Sequence, residues 1–158
     1  MGGSGTGTAA VSPVGMTLQD VVDYTRKAVL NNYVPPYFWL DDELVLYANE
    51  ALNILCAEAR IIEDSTTTAV CNITTVAGTL DYLLHPSIIY IRSVKLSTVT
   101  RMLHKKTKYE KERSFPGWRS SANNVPIEYI LDYQSGYLTL WPPPDIVYTV
   151  NLSVYRYP

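Results

Sequence analysis

Charged residues are scarce in this chain, at 18% of its 158 positions against roughly 25% in typical domains. Because hydrophobic residues make up 47% of the sequence, a mainly disordered chain is excluded. The net charge of −2 provides no global attraction to nucleic acid or to anionic lipid. No apolar run approaches the roughly 20 residues that span a bilayer. The N-terminus also lacks the basic start and apolar stretch of a signal peptide.

Cysteine is also rare, with only Cys56 and Cys71 present. Cys56 lies on the apolar face of a predicted helix, and Cys71 lies in a stretch that alternates as a strand does. Both are therefore expected to be buried thiols of a protein made in a reducing cytoplasm. A structural disulfide between them is the alternative.

Catalytic motifs are missing as well, since the sequence contains neither a glycine-rich phosphate loop nor a nucleophile elbow. The two histidines, His85 and His104, have no Cys, Asp or Glu nearby at metal-ligand spacing. The acidic run from Asp41 to Glu43 suits the start of a helix better than an acid–base pair. The sequence therefore predicts no enzyme, no metal and no cofactor.

Aromatic residues are abundant, with 13 tyrosines and 3 tryptophans. Protein interfaces are enriched in aromatic side chains and depleted in charge, so this composition suits a protein that hides part of its surface against partners. A tyrosine-rich β-domain with half-buried rings has the same composition. The composition alone leaves both interpretations open.

The chain begins with a segment of Gly, Ser, Thr and Ala over residues 1–16, which predicts a flexible arm. Thr17 and Asp20 then form a capping-box pattern, which predicts the start of a first helix. Apolar residues follow at helical spacing, and the helix is expected to stop at Asn31 and Asn32.

The next segment cannot be helical, because it contains Pro35 and Pro36. These are followed by Tyr37, Phe38 and Trp39, whose rings are expected to be buried. The segment is therefore predicted to be an aromatic connection between two helices.

The second helix is predicted to have its N-cap at Asp41 and one apolar stripe from Leu44 to Ile62. A short connection between helices favours an antiparallel hairpin, here over residues 17–64. After residue 64 the hydrophobic period changes to that of strands. Helices followed by strands predict the α+β class.

The predicted β-rich domain covers residues 65–158 and forms an antiparallel β-sandwich or a barrel-like domain. Strands are expected at 66–75, 80–84, 88–96, 127–133, 137–141 and 148–155, with a hairpin turn at 134–136 and a proline corner at 142–145. A basic insertion at about 101–121 interrupts it.

This insertion holds seven basic residues against two acidic ones between residues 101 and 119. Basic residues interleaved with aromatics can bind nucleic acid, so a nucleic-acid-binding module is one hypothesis. The alternative is a solvated loop or short helix whose charge partners lie on another acidic chain. A carbohydrate-binding tail component that uses Tyr137 and Tyr148 is a third hypothesis.

Several segments together resemble one known family. Residues Leu40–Leu44 followed by Tyr47–Ala51 resemble the helix of tailed-phage head-to-tail adaptors. The Leu83–Pro86 step followed by Ile89–Val94 is similar to a strand of that family. The C-terminal half is similar in order and spacing through Trp118, Pro126, Tyr129, Gly136–Pro142, Pro144–Asp145, Tyr148–Val150 and Tyr155–Pro158. The resemblance covers residues 40–158.

The resemblance implies a structural virion protein at the head–tail junction, made in the host cytoplasm. Such adaptors form a dodecameric ring under the portal, join the DNA-filled capsid to the tail and help to retain the packaged DNA. The implied partners are the portal protein, a tail tube or nozzle protein and other copies of the chain, with DNA passing through the lumen and no membrane involved. The candidate residues for the subunit, portal or tail interface are Tyr37, Phe38, Trp39, Arg101, Lys105, Lys106, Lys108, Lys111, Arg113 and Trp118.

Overall fold

The structure is a computed structural model, and it describes residues 15, 17–30 and 34–158. Contacts between residues divide the chain into two compact units, Met1–Ala51 (the N-terminal unit) and Leu52–Pro158 (the β-unit). Helices come first and two sheets follow, so the predicted α+β class is confirmed.

Some predictions fall outside the described residues. They are the flexible arm, except at Gly15, and the helix stop at Asn31 and Asn32. The domain boundaries predicted after residues 16 and 64 stay predictions.

The first helix, α1 (Leu18–Tyr24), continues into a π-helical turn over Thr25–Val29. The side chain of Thr17 accepts a hydrogen bond from the backbone N–H of Asp20 at 3.1 Å. In return, the backbone N–H of Thr17 donates to the Asp20 carboxylate at 2.8 Å. The predicted capping box is thus confirmed, and these bonds satisfy two donors that the helix start leaves open.

The second helix, α2 (Asp41–Ala59), begins with the residue that was predicted to be its N-cap. The backbone N–H of Leu40 donates to the Glu43 carboxylate at 3.0 Å, so the capping position lies one residue earlier. The structure does not show the predicted antiparallel hairpin. The first helical segment comprises α1 and the π-helical turn, and residues 31–33 of the connection to α2 lie outside the described residues.

The β-unit contains nine strands and two further α-helices. They are β1 (Glu63–Asp64), α3 (Thr68–Cys71), β2 (Asn72–Thr74), β3 (Asp81–Leu83), β4 (Ile88–Leu96), β5 (Arg101–Met102), β6 (His104–Lys106), α4 (Lys108–Ser114), β7 (Glu128–Ile130), β8 (Tyr137–Trp141) and β9 (Thr149–Arg156), with a 3-10 turn at Trp118–Ser120. The predicted strand at 88–96 matches β4, and the predicted strand at 137–141 matches β8.

The strands form two sheets. One has the order β1-β9-β4-β5, with β2 also paired to β9, and the other has the order β3-β8-β7-β6. The prediction of purely antiparallel sheets is wrong, because β6 and β7 are parallel. A parallel pair needs a long crossover connection, and the basic insertion with α4 supplies it.

Neither sheet closes on itself, so the barrel-like alternative is wrong. Both sheets instead contribute side chains to one core cluster. In β9, buried Val150, Leu152 and Val154 alternate with half-buried residues, as expected for a strand with one face on the core. From the other sheet, Leu138 and Leu140 are fully buried.

The strand predicted at 66–75 is correct only in its last part. Residues Thr68–Cys71 form the short helix α3, and β2 begins after it. The side chain of Asp64 accepts hydrogen bonds from the backbone N–H groups of Thr66 at 2.9 Å and Thr67 at 3.0 Å. This local turn overrides the strand pattern of the threonines. Both cysteines are free and buried, as predicted.

Candidate interaction surfaces

The aromatic connection before α2 is fixed by the buried side chain of Arg26. Its Nη1 donates to the backbone oxygen of Trp39 at 2.6 Å, and its Nε donates to Asp41 Oδ1 at 3.2 Å. The guanidinium carbon lies 4.2 Å from the ring centroid of Tyr37. The expectation that the rings are buried is wrong for Tyr37, which is 43% exposed, and for Phe38, which is 81% exposed although its ring contacts Trp39 edge-on. The backbone of this connection is held in place while an aromatic ring faces outward.

The N-terminal unit also contains an apolar cleft of about 330 Å³. It is lined by Val21, Val22, Thr25, Leu30, Trp39, Leu44, Tyr47, Ala48 and Ala51. Only Val22 and Leu44 are buried hydrophobic side chains among the described residues of this unit. The cleft is therefore an open apolar surface and not the packed core of a self-sufficient domain.

Helix α2 carries exposed apolar side chains on more than one side. The predicted stripe included Tyr47 and Leu55, yet both are about half exposed. Leu46 and Ile54 lie off that stripe and are 63% and 57% exposed. Sequence reasoning missed these two, although a helix that is apolar on several sides is itself a sign of burial against other elements.

In the β-unit, the basic insertion is folded and partly buried. The side chain of Lys111, on α4, is only 4% exposed. Its Nζ lies 2.7 Å from a carboxylate oxygen of Glu128 and 2.8 Å from the ring centroid of Trp141. These contacts make Lys111 part of the internal packing that attaches α4 to the strands.

Trp118 is also internal, at 2% exposure. Its ring meets Tyr133 edge-on at 5.7 Å, and its backbone oxygen accepts a hydrogen bond from the Trp141 indole at 3.1 Å. Arg119 stacks over Tyr133 at 4.2 Å and donates to Asp81 at 2.7 Å. Burial acts to raise the pKa of Asp81, but the hydrogen bonds from Arg119 and Thr139 outweigh it and lower that pKa below its ordinary value.

Lys108 has partners within the chain as well. Its ammonium lies 3.9 Å from Glu112 one helical turn later and 5.3 Å from the ring centroid of Tyr133. At 44% exposure it stays accessible, so these contacts contribute little to stability.

Four of the predicted basic residues form no salt bridge among the described residues: Arg101, Lys105, Lys106 and Arg113. Lys106 is half-buried and the other three are exposed. Lys105 and Lys106 lie on β6, the edge strand of the second sheet, and Arg101 lies on β5, the edge strand of the first. The ammonium of Lys105 lies 5.7 Å from the ring centroid of Tyr90. The cations available to a partner are thus fewer than the sequence suggested.

The ten predicted interface residues therefore fall into three groups. The first is the connection before α2, with Tyr37, Phe38 and Trp39. The second consists of the five cations that are at least partly exposed, and the third is the internal pair Lys111 and Trp118. The structure does not bring the first and second groups together within one unit. Their assignment to an interface stays a prediction.

His85 and Tyr148 have local structural explanations. The Nδ1 of His85 lies 2.8 Å from the Ser87 hydroxyl in the turn before β4, in line with the predicted turn histidine. Tyr148 is buried and donates to the Asp145 carboxylate at 2.7 Å, so it offers no free ring for stacking on a sugar. In the part of the chain that the structure describes, no group of three metal-binding side chains occurs, and no helix is both long and apolar enough to cross a membrane.

The comparisons with known proteins agree with the resemblance seen in the sequence. The family model of the SU10 adaptor protein matches residues 16–158, which is most of the chain. Among curated proteins, none gives a significant match. The chain thus belongs to the SU10 adaptor protein family, a family of structural phage adaptors whose members are typically not enzymes and are located in the virion.

Proposed function

We propose that this protein is a head-to-tail adaptor that forms a dodecameric ring beneath the portal of a tailed phage. Copies of the chain join the capsid to a tail tube or nozzle protein and help to keep the packaged DNA inside. The N-terminal unit contacts neighbouring copies and the portal. The β-unit presents a platform to the tail.

The observation that carries this proposal is the open apolar surface of the N-terminal unit and α2. An adaptor needs such a surface, because a subunit of a ring contacts at least two neighbours and a platform above or below it. Exposed Leu46 and Ile54 on α2, and the apolar cleft of the N-terminal unit, suit contacts that only an assembly completes.

The charge of the chain also supports a ring with DNA in its lumen. Because a strongly basic lumen would bind the phosphate backbone, DNA slides more easily past a neutral or weakly acidic surface. The net charge is −2, and Lys111 and Arg119 of the basic insertion are neutralised within the chain by Glu128 and Asp81.

Co-purification with the portal tests the proposal. The wild-type chain and the portal protein of the same phage are co-expressed, and the complex is imaged by cryo-electron microscopy. A ring of adaptor density attached to the portal is expected. Absence of that density, both in the complex and below the portal of virions, would refute the proposal.

A double variant, Leu46→Ser with Ile54→Ser, tests the surface that carries the argument. We expect loss of co-purification with the portal while the variant stays folded, since both side chains are exposed. The matched control is Leu83→Ser, which removes a similarly exposed leucine, 69% accessible, from β3 of the β-unit. If both variants bind the portal as the wild type does, α2 is not the contact surface.

A second candidate function is nucleic-acid binding by the basic insertion, and the four cations that form no salt bridge among the described residues favour it. Phosphate contacts would make the affinity for short duplex DNA fall steeply as salt rises. Negligible affinity at low salt would exclude this function. If binding is observed, the quadruple variant Arg101→Gln, Lys105→Gln, Lys106→Gln and Arg113→Gln is the control, and it should remove that binding.

A further inference from the structure

Three loops meet at one end of the β-unit: residues 75–79, 97–100 and 142–148. Backbone hydrogen bonds hold them together. The N–H of Thr75 donates to the oxygen of Tyr148 at 2.9 Å, and the N–H of Ser97 donates to the oxygen of Thr149 at 2.9 Å. These hydrogen bonds therefore fix the backbone of the loops relative to one another.

This end exposes several large apolar side chains beside polar ones such as Thr79 and Asp145. The apolar ones are Val76 (59%), Val99 (45%), Ile146 (55%) and Val147 (60%) on the loops and Met102 (52%) on β5, and together with Lys95 and Arg101 we call them the end surface. Scattered apolar residues are normal on a surface, but a group of them on hydrogen-bonded loops marks an interaction site.

Two cations border these side chains. Lys95 pairs with Met102 across β4 and β5, and Arg101 precedes Met102 in the chain. Both are exposed, and neither has a carboxylate partner among the described residues. The nearby carboxylate of Asp145 already accepts the Tyr148 hydroxyl. A partner of this surface should thus be apolar in its centre and acidic around it.

The N-terminal unit of the same chain has this chemistry. Its described residues include six carboxylates and two basic side chains, and its apolar cleft has room for small aliphatic side chains. By contrast, the β-unit has eleven basic and nine acidic residues, so the two units have opposite net charge.

We infer that the end surface of one copy docks on the apolar cleft of the N-terminal unit of the next copy. This inference rests on the proposed ring. Each copy then has one surface of each kind, and a contact between unlike surfaces is the heterologous type that closes into a ring by rotation. Ile146 and Val147 enter the cleft, and Lys95 and Arg101 face the carboxylates of the N-terminal unit.

Disulfide trapping tests this contact. Cysteines are placed in one chain at Ala51, which lines the cleft and is exposed, and at Val147, as Ala51→Cys with Val147→Cys. The native Cys56 and Cys71 are buried and stay out of the reaction. After mild oxidation of the portal–adaptor complex, we expect a ladder of adaptor multimers on a non-reducing gel, which disappears on reduction.

Two controls define the geometry. Val147→Cys alone should give no dimer, since the contact joins unlike surfaces. Ala51→Cys combined with Leu83→Cys should give no ladder, because Leu83 lies near the Gln134–Gly136 turn at the other end of the β-unit.

The outcomes separate this inference from the proposed function. A ring in the complex without a ladder, or a link within a single chain, would overturn the docking and leave the ring proposal intact. A dimer from Val147→Cys alone would also overturn it, because it would show like surfaces meeting. A wild-type complex that contains no adaptor multimer would overturn the ring proposal itself.

Discussion

The two units of this protein bury their apolar residues to very different extents. The β-unit has a core cluster fed by both sheets, with Leu96, Leu140 and Val154 fully buried. It also contains five of the six ion pairs among the described residues. The N-terminal unit buries Arg26 with Val22 and Leu44, and leaves most of its other large apolar side chains exposed.

This difference in burial indicates which part of the chain can fold by itself. Burial of apolar surface is the main stabilising term in folding, so the β-unit supplies most of the stability of the free chain. The N-terminal unit leaves most of its large apolar side chains exposed, and these form the surface that we propose for contacts with other subunits. If this comparison is right, substitutions in the two units should affect different measurements.

The largest effect is expected from a leucine of the core cluster. Leu140→Ala removes a fully buried side chain from β8 and should lower the free energy of unfolding by about 3 kcal/mol, because it leaves a cavity. Leu46→Ala on the exposed face of α2 should change it by at most about 0.5 kcal/mol. Urea unfolding monitored by tryptophan fluorescence measures both. Equal losses would show that α2 is as well packed as the sheets.

A smaller loss should follow from separating Lys111 and Glu128. Lys111→Met keeps the length of the side chain but leaves a carboxylate that is only 18% exposed without its hydrogen-bond partner, at a cost of about 2–3 kcal/mol. The matched variant Lys108→Met breaks an exposed pair on the same helix and should cost at most about 0.5 kcal/mol. If the two variants unfold alike, the basic insertion is a solvated appendage and not part of the β-unit.

Acid should weaken the β-unit through Asp64. The hydrogen bonds that Thr67 and Thr66 donate lower the pKa of this carboxyl far below its ordinary value, and Arg156 adds a hydrogen bond at 2.7 Å. Because the folded-state pKa is depressed, the contribution is present above the unfolded value of about 4 and is lost as the pH falls toward the folded value. The unfolding temperature of the Asp64→Asn variant should therefore fall less than that of the wild type between pH 5 and pH 2, as measured by thermal melts. Parallel curves for the two proteins would contradict the assignment.

The smallest effect concerns the two thiols. Neither should react with a thiol reagent in the native protein, since both are buried, and burial raises the pKa of Cys71 as well. Cys71 belongs to the core cluster and Cys56 does not. Cys56 should thus become reactive at a lower urea concentration, followed by mass spectrometry. Simultaneous reaction would mean that α2 and the core open together.

Much of the fold could be predicted from the sequence, because the spacing of residues over a few positions indicates where helices and strands form. The capping box at Thr17 and the apolar stretches of β4 and β8 are local signals, and the structure contains the helix and both strands. The helix α3 could not be predicted from the threonine run alone. The turn before it depends on the Asp64 carboxylate, which accepts hydrogen bonds from the backbone N–H groups of Thr66 and Thr67. The parallel pairing of β6 and β7 depends on a crossover that no local pattern encodes.

The candidate surfaces were predicted less completely. Residue type indicated that Lys111 and Trp118 could serve an interface, yet both are used in packing α4 and the 3-10 turn. Burial of a lysine depends on a glutamate 17 positions away, Glu128, and a sequence does not show that distance. The end surface was missed because its residues come from three separate loops and from β4 and β5, and no single segment indicates a surface by itself.

The position of β9 has a consequence for how the chain is made. This strand, Thr149–Arg156, pairs with β1 and β2 along one edge and with β4 along the other. A nascent chain that has not yet extended past Thr149 therefore has three strands with no common partner, and open edges of that kind recruit other chains. Only a polypeptide that has been elongated through Arg156 can therefore complete this sheet.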